Sequence, residues 1–225
     1  MKKKIKFLIP DILVSQNTAI IGNSSSILKK KNGLKIDICD DVIRFNNAKT
    51  KGFEEYVGKK TTIRVINNGT FECNKIKPGL GWEKSDNDYN FVLSLNNIRI
   101  ITISPNKIKN EIKNKNMKNN NYYYFLEKRY IQFLICFSFI KNLDIFFELI
   151  NILLKRKNFS IGFYSILLCV VSGIKPQLYG FDLSEDMTKR SHYWEKAGNV
   201  GNFHDLTSEH KIINKFLKLK YVDLY

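Results

Sequence analysis

The sequence predicts an α/β fold: one Rossmann-like domain with a mainly parallel sheet flanked by helices. Three observations carry this reading. Short β-branched runs alternate with longer stretches of helical periodicity, the order expected when a helix returns each strand to lie parallel to the last. Four of the runs end in turns rich in Gly and Asn, which places these turns at one sheet edge if the strands are parallel. No linker or repeat divides the 225 residues, and 44% hydrophobic content suits one sizeable core in a single domain, residues 1–225.

The elements follow in order. Thr18 to Ile21 reads as a buried strand that breaks at Gly22-Asn23-Ser24, and Ser25-Ser26-Ile27-Leu28-Lys29 then caps and starts a helix. Val42 to Asn46 is a second strand. Thr61 to Ile66 is a third, ending at Asn67-Asn68-Gly69, and Arg99 to Ile103 is a fourth, stopped by Pro105. Residues 107–121 are rich in Lys and Asn and read as an exposed helix or mobile loop, and Tyr122 to Lys157 as aromatic-rich helix. Together, 107–157 form a variable insert or lid within the domain. Its most apolar part, Tyr130 to Leu154, carries Ile140, Leu143, Phe147, Ile150 and Leu154 at helical spacing. Lys141, Asp144 and Glu148 interrupt it, so a core or membrane-surface helix fits and a transmembrane span does not. Ser160 to Gly173 is a buried helix leading into the strand Gln177 to Phe181. Ser208 to Leu219 is amphipathic, and Tyr221-Val222 adds a last strand.

The formal net charge is +16, from 37 Lys+Arg against 21 Asp+Glu. Nucleic acid, an anionic membrane surface and an acidic substrate all suit such a balance, as does a general bias toward Lys, Asn and Ile. Cys39, Cys73, Cys136 and Cys169 lie far apart with no C-x-x-C pair, which indicates free thiols in a reducing compartment rather than zinc or disulfides. The basic N-terminus is broken by Pro10 and Asp11, too early for a signal peptide. Of the sequons at Asn23, Asn68 and Asn158, a glycan on Asn23 would block a candidate ligand turn. The expected location is therefore cytosolic.

The chemistry concentrates in a few residues. Ligands of a doubly wound sheet sit beyond the carboxyl ends of its strands, where Gly22-Asn23, Asn46-Asn47, Asn67-Asn68-Gly69 and Gly180-Phe181-Asp182 are expected. Gly22 permits close backbone approach, and Asn offers donor and acceptor to a base, ribose or phosphate. Each turn is also explicable as a turn alone. No G-x-G-x-x-G or Walker lysine loop is present. Ser160-Ile161-Gly162 opens a helix, so it reads either as a phosphate grip or as a plain N-cap. Two of the three histidines, His192 and His204, lie close together near the C-terminus, where a titrating imidazole suits group transfer from a nucleotide donor.

These residues complete a resemblance to the eukaryotic-type sialyltransferases, glycosyltransferase family 29, defined by sialyl motifs L, S, III and VS. Ala19-Ile20-Ile21-Gly22-Asn23-Ser24, Asp37, Asp41 to Asn46, Lys49 to Glu54 and Val57 to Thr62 resemble motif L. Ser160-Ile161-Gly162 through Leu178-Tyr179-Gly180-Phe181 is similar to motif S, His192-Tyr193-Trp194-Glu195 to motif III, and His204 with Glu209 to motif VS. The four stand in family order and leave out roughly residues 70–155. The resemblance implies a GT-A-like sialyltransferase variant that moves sialic acid from CMP-sialic acid to a sugar hydroxyl, with inversion and without a cofactor or metal. It implies that Asn23 and Asn46 hold the cytidine nucleotide, that Ser160, Ile161 and Gly162 contact nucleotide or donor, and that Asp182 lies at a donor-contacting position. It further implies that His192 hydrogen-bonds the departing phosphate and that His204 is the general base. The Golgi members' inter-motif disulfide, membrane anchor and stem are not expected here. Thr18 stands near the first cysteine position, which fits a soluble, bacterial-like member.

The expected acceptor is a terminal galactose or sialic acid of a surface glycan such as lipooligosaccharide or capsule. Lipid-linked acceptors and peripheral contact with the anionic inner membrane face are compatible with the lysine-rich surface. Transfer of another CMP-activated nonulosonic acid is an alternative. A basic binding module for nucleic acid or membrane is a second, supported by charge and by Tyr122, Tyr123, Tyr124 and Phe125. No RNA- or DNA-binding signature accompanies these aromatics, so nucleic acid is not an expected partner.

Overall fold

The computed structural model describes residues 15–67, 98–103, 122–126, 128–155, 157–183, 192–194 and 204–225. Among the described residues, seven strands form one sheet: β1 Thr18–Ile21, β2 Asp41–Phe45, β3 Ile63–Asn67, β4 Arg99–Ile103, β5 Tyr122–Leu126, β6 Gln177–Tyr179 and β7 Asp223–Leu224. Their order is β5-β4-β3-β2-β1-β6-β7, and every pairing is parallel. The predicted α/β class with a mainly parallel sheet is the observed one. From β1 the chain winds outward to β5, then crosses back to place β6 on the other side of β1. This reversal is a topological switch point, the place beyond the strands' carboxyl ends where ligands of such sheets bind.

Period-two alternation sorts side chains to the two faces. Ile20, Ile43, Phe45, Ile63 and Val65 face the larger core, which is closed by α3 Lys128–Ser138, α4 Leu143–Leu154, α5 Ile161–Val171 and α6 Leu206–Lys218. Ala19, Ile21, Val42 and Tyr179 face the smaller one, with Ile27 of the 3-10 turn Ser25–Lys29, Ile36 of α1 Gly33–Asp37 and Val57 of α2 Glu54–Val57. Both faces are covered, so the central strands carry continuous apolar runs.

Several expectations are corrected. Tyr122–Leu126 is not helical but an edge strand that pairs along β4 from Arg99↔Tyr122 to Ile103↔Leu126. Its aromatic residues favour a pleated surface, which a neighbouring helical pattern had masked. The single helix read through Tyr130 to Leu154 is two, α3 and α4, split by a turn in which Asn142 caps α4 with its side chain. The stripe that seals the core is Ile145, Leu149 and Ile152, not Leu143, Phe147 and Leu154. Both helices contribute residues to the main core, and residues 107–121 of the expected insert fall outside the described residues. The helix expected at Ser25 is a 3-10 turn followed by the short α1, and the last strand lies two residues later than expected, at Asp223–Leu224.

This assignment of faces is checked by paired truncations. Leu149 is 0% exposed and Leu154 75%. Leu149→Ala should cost about 2–5 kcal/mol in a urea melt, and Leu154→Ala no more than about 0.5 kcal/mol. Equal losses would reverse the faces of α4.

Candidate active site

At the switch point the ends of β1 and β6 are joined backbone to backbone. Gly22 N–H donates to the Tyr179 carbonyl at 2.7 Å, and Ser24 N–H to that of Gly180 at 3.2 Å. A Cβ on Gly22 would fall 2.3 Å from the Gly180 oxygen, and Gly180 itself sits at φ +67°. The close approach that Gly22 permits is therefore to Gly180. Phe181 fills the space beyond: a Cβ on Gly22 would lie 3.1 Å from its ring and one on Gly162 3.3 Å. One phenyl ring thus gathers three elements, the β1 turn, the β6 turn and the start of α5.

Asn23 follows at the same edge. Its carbonyl accepts from Tyr193 N–H at 3.0 Å, and Ser24 forms an antiparallel bridge with His192. The His192 segment is thereby stitched beside the first turn. His192 stacks on Trp194 (4.7 Å between centroids, 7° between planes), which orients the imidazole. Buried Tyr193 packs edge-on against Phe53 at 5.1 Å, and its hydroxyl donates to the Lys49 carbonyl. Burial pushes that phenol up to about 12, against the opposing pull of Arg44 and Arg64. The side-chain oxygen of Asn23 is buried and has no hydrogen-bond partner among the described residues. Leaving such an acceptor unmet costs about 1–3 kcal/mol, so it is set to receive a donor.

Asn46 ends β2 in the left-handed region, at φ 44°, with its N–H on Val65 O at 2.9 Å. Its carbonyl, with that of Ala48, accepts from Arg64 Nη1, both at 3.1 Å. Arg44, register partner of Arg64, donates from Nε to Lys60 O and Thr61 Oγ1, both at 3.1 Å. Both guanidiniums are buried in the smaller face. Burial lowers Arg44 to about 10; burial and then the neighbouring Arg44 charge lower Arg64 to about 9. Both stay charged at neutrality and act as fixed clamps under the Asn46 turn. Sequence reading placed Arg64 only as a strand residue and Arg44 in the stretch that resembles motif L; two cations inside apolar runs ending at candidate ligand turns were the available signal.

Around Ser160 the structure supports the N-cap reading and adds a partner. Ser160 Oγ accepts from Phe163 N–H at 3.2 Å and donates to Glu209 Oε2 at 2.6 Å. Its own N–H donates to Glu209 Oε1 at 2.7 Å. With the Ser160 proton directed at a carboxylate, the donors that lack an acceptor inside α5 are the N–H groups of Ile161 and Gly162. His204, just ahead of α6, holds the Asn158 carbonyl with Nδ1 at 2.8 Å. A carbonyl only accepts, so Nδ1 carries the proton and Nε2 the lone pair of the neutral ring. Asp205 caps α6 through Ser208 N–H (3.2 Å) and meets Lys155 at 3.0 Å. Burial alone would raise the Asp205 carboxyl; Lys155 and Ser208 together hold it below its ordinary range.

Asn23, Asn46, Ser160, Ile161, Gly162, His192 and His204 thus belong to turns and helix starts around one sheet edge. Asp182 lines a cavity of about 360 Å³ on the β7 side, with Ser26, Lys29, Lys30 and Tyr225, and neither histidine lines that cavity. Asn67 is the last residue of β3; Asn68, Gly69 and Glu195 lie outside the described residues. Among the described residues, no three His, Cys, Asp or Glu side chains form a metal-binding group.

The Glu209 clamp is open to test. Glu209 is 2% exposed, so Glu209→Ala would leave two partly buried Ser160 donors unmet and should lower stability by about 1–3 kcal/mol in denaturant titration. A change within about 0.5 kcal/mol would remove the clamp from the account.

The model of glycosyltransferase family 29 (sialyltransferase) matches residues 14–221. Sialyltransferase-like protein 2 of Arabidopsis thaliana is 48% identical over 52 residues, 23% of this chain and 12% of that protein. Beta-galactoside alpha-2,6-sialyltransferase 2 of Homo sapiens is 42% identical over 67 residues, 27% of this chain and 13% of the relative. The chain therefore spans about an eighth of the length of these curated relatives. A crystal structure of a mammalian sialyltransferase in complex with Gal-beta-1-3GalNAc-ortho-nitrophenol shares the fold, with a TM-score of 0.57 over 92% of this chain and 68% of that one at 18% identity. A match over nearly the whole chain, on motifs that the fold brings to one edge, means that this chain belongs to glycosyltransferase family 29, the sialyltransferases.

Proposed function

We propose that the chain transfers sialic acid from CMP-sialic acid to a hydroxyl of a terminal galactose or sialic acid on a surface glycan, such as lipooligosaccharide or capsule. Transfer inverts the anomeric carbon and uses no metal. The observation that carries this reading is the stitching of the His192 segment to Asn23–Ser24, beside the unmet Asn23 oxygen. That oxygen accepts from the cytosine amine or a ribose hydroxyl, and Asn46 serves the nucleotide from the next turn. The Ile161 and Gly162 N–H groups at the positive end of α5 suit the phosphate. His192 donates to the phosphate as CMP departs with added negative charge.

His204 is the base. Its Nδ1 proton is committed to Asn158, so the proton of the acceptor hydroxyl goes to Nε2 as the new glycosidic bond forms and the bond to CMP breaks. The transition state is oxocarbenium-like, so ordered reactants and electrostatics matter more than a strong nucleophile. Another CMP-activated nonulosonic acid would present the same carboxylate and nucleotide, and is the finer alternative for the donor. The family match gives no support to a binding module without catalysis. No helix among the described residues is long and apolar enough to cross a membrane; a cytosolic enzyme meeting lipid-linked acceptors at the inner membrane face is part of the proposal.

His204→Ala should lower kcat by about a hundredfold or more while CMP still raises the melting temperature. His192→Ala should lower kcat by about a hundredfold without unfolding the chain. Full turnover by either variant removes the corresponding role. Transfer should also proceed unchanged in EDTA after prior dialysis against chelator; activity that returns only on adding a divalent cation would overturn the metal-free step.

A further inference from the structure

Helices α3 and α4 close the main core, yet they carry a second apolar stripe that faces solvent. Phe133 and Phe137 on α3, Ile140 in the connecting turn, and Leu143, Phe147 and Leu154 on α4 are 45–75% exposed. Its aromatic part is continuous through the half-buried Phe146: ring centroids lie 4.8 Å apart for Phe133–Phe137, 6.0 Å for Phe137–Phe146 and 5.4 Å for Phe146–Phe147. Isolated exposed apolar residues are ordinary, but a contiguous patch of this kind marks an interaction surface.

Its chemical surroundings select the partner. Beside the α3–α4 turn, a cavity of about 570 Å³ is lined by Lys141, Lys175 and Lys220, with Phe139 and Tyr221. It lies where β6 begins, at the edge of the sheet opposite the candidate active site. The acidic groups nearby already meet lysines: Asp144 and Glu148 both contact Lys215, at 2.8 and 3.6 Å, and Asp223 contacts Lys175 at 2.6 Å. An apolar stripe flanked by cationic side chains on a chain of net charge +16 is complementary to an anionic lipid surface.

We propose that this face docks on an anionic bilayer, with the α3–α4 stripe sunk into the headgroup region and Lys141 and Lys220 on lipid phosphates. The orientation has a consequence that rests on the proposed transferase function. Asn142 before α4 borders the lysine cavity, and Lys155 at its other end meets Asp205, the neighbour of His204. Docking along α4 therefore holds the catalytic edge beside the membrane, within reach of a lipid-linked glycan.

Flotation of the full chain with vesicles of phosphatidylglycerol and phosphatidylcholine in equal parts, and of phosphatidylcholine alone, tests the docking. Preferential binding to the anionic vesicles is expected. Leu143→Ser with Phe147→Ser should weaken binding by about tenfold or more. Lys141→Gln with Lys220→Gln should weaken it by about fivefold per lysine at low salt, and much less at high salt. Leu154→Ser, at the most exposed position of the stripe, is the substitute if the double serine variant lowers the melting temperature. Absent binding, or binding unchanged by both sets, overturns the proposal. So does a dimer, seen by sedimentation, that the serine variant disrupts while vesicles go unbound. Turnover of a soluble galactoside should be the same in the parent and the serine variant. If the parent lacks that turnover yet binds vesicles, the transferase reading falls and the docking surface stands.

Discussion

The rest of the site depends on the contact between β1 and β6, where the sheet changes winding direction. The two strands leave the sheet so close together that the backbone of Gly22 lies directly against that of Gly180. No side chain fits between them without moving backbone. Because the ends are locked here, Asn23 is delivered to a defined place, and the His192 segment has a strand end on which to form its bridge. Phe181 then carries the same registration to Gly162 and the start of α5. Motifs far apart in the chain thus share one backbone contact and one aromatic ring.

Behind that contact the smaller face is held by polar groups as much as by apolar ones. Arg44 and Arg64 sit side by side on β2 and β3, deprived of water, and their fork geometry spends its donors on carbonyls of the flanking loops. Asp37 adds an acceptor for the N–H groups of Lys59 and Lys60. Burying like charges is costly, which the lowered proton affinities of both arginines express. The gain is geometric: the loops that carry Asn46 and Lys49 are tied to the sheet from beneath. Lys49 O in turn receives the Tyr193 hydroxyl. The cations therefore hold the platform that the histidine segment rests upon.

Much of this was legible in the sequence. Strands β1 to β4 and β6 announced themselves because a sheet covered on both faces needs unbroken apolar runs, and the Gly- or Asn-containing turns after β1, β2, β3 and β6 marked the candidate ligand edge. Strand β5 was hidden because three tyrosines next to a helical pattern satisfy either period. The inner stripe of α4 was hidden because that helix is apolar on nearly every side, so periodicity found the outer stripe first. Arg44 and Arg64 depart from the general tendency of charged side chains to face water, so their burial was not legible. The Ser160–Glu209 bond was out of reach, since its partners stand 49 residues apart and nothing local distinguishes a capping serine that also donates.

That bond also explains the spacing of the C-terminal pair. Asn158 and Ser160 lie on one extended segment ahead of α5, and His204 and Glu209 straddle the start of α6. Five residues of turn and helix on one side thus match two extended residues on the other. The buried Glu209 carboxylate is met by two Ser160 donors and lies by the positive end of α5, which is where a negative charge costs least. Fixing Glu209 fixes the entry of α6, and so the height and tilt of the His204 ring. It also divides the helix terminus: Ser160 is used internally on Glu209, which in the proposed transfer leaves the following two amides for the donor phosphate. On that proposal a single N-terminus serves both halves of the transfer, the leaving group directly and the base through a carboxylate.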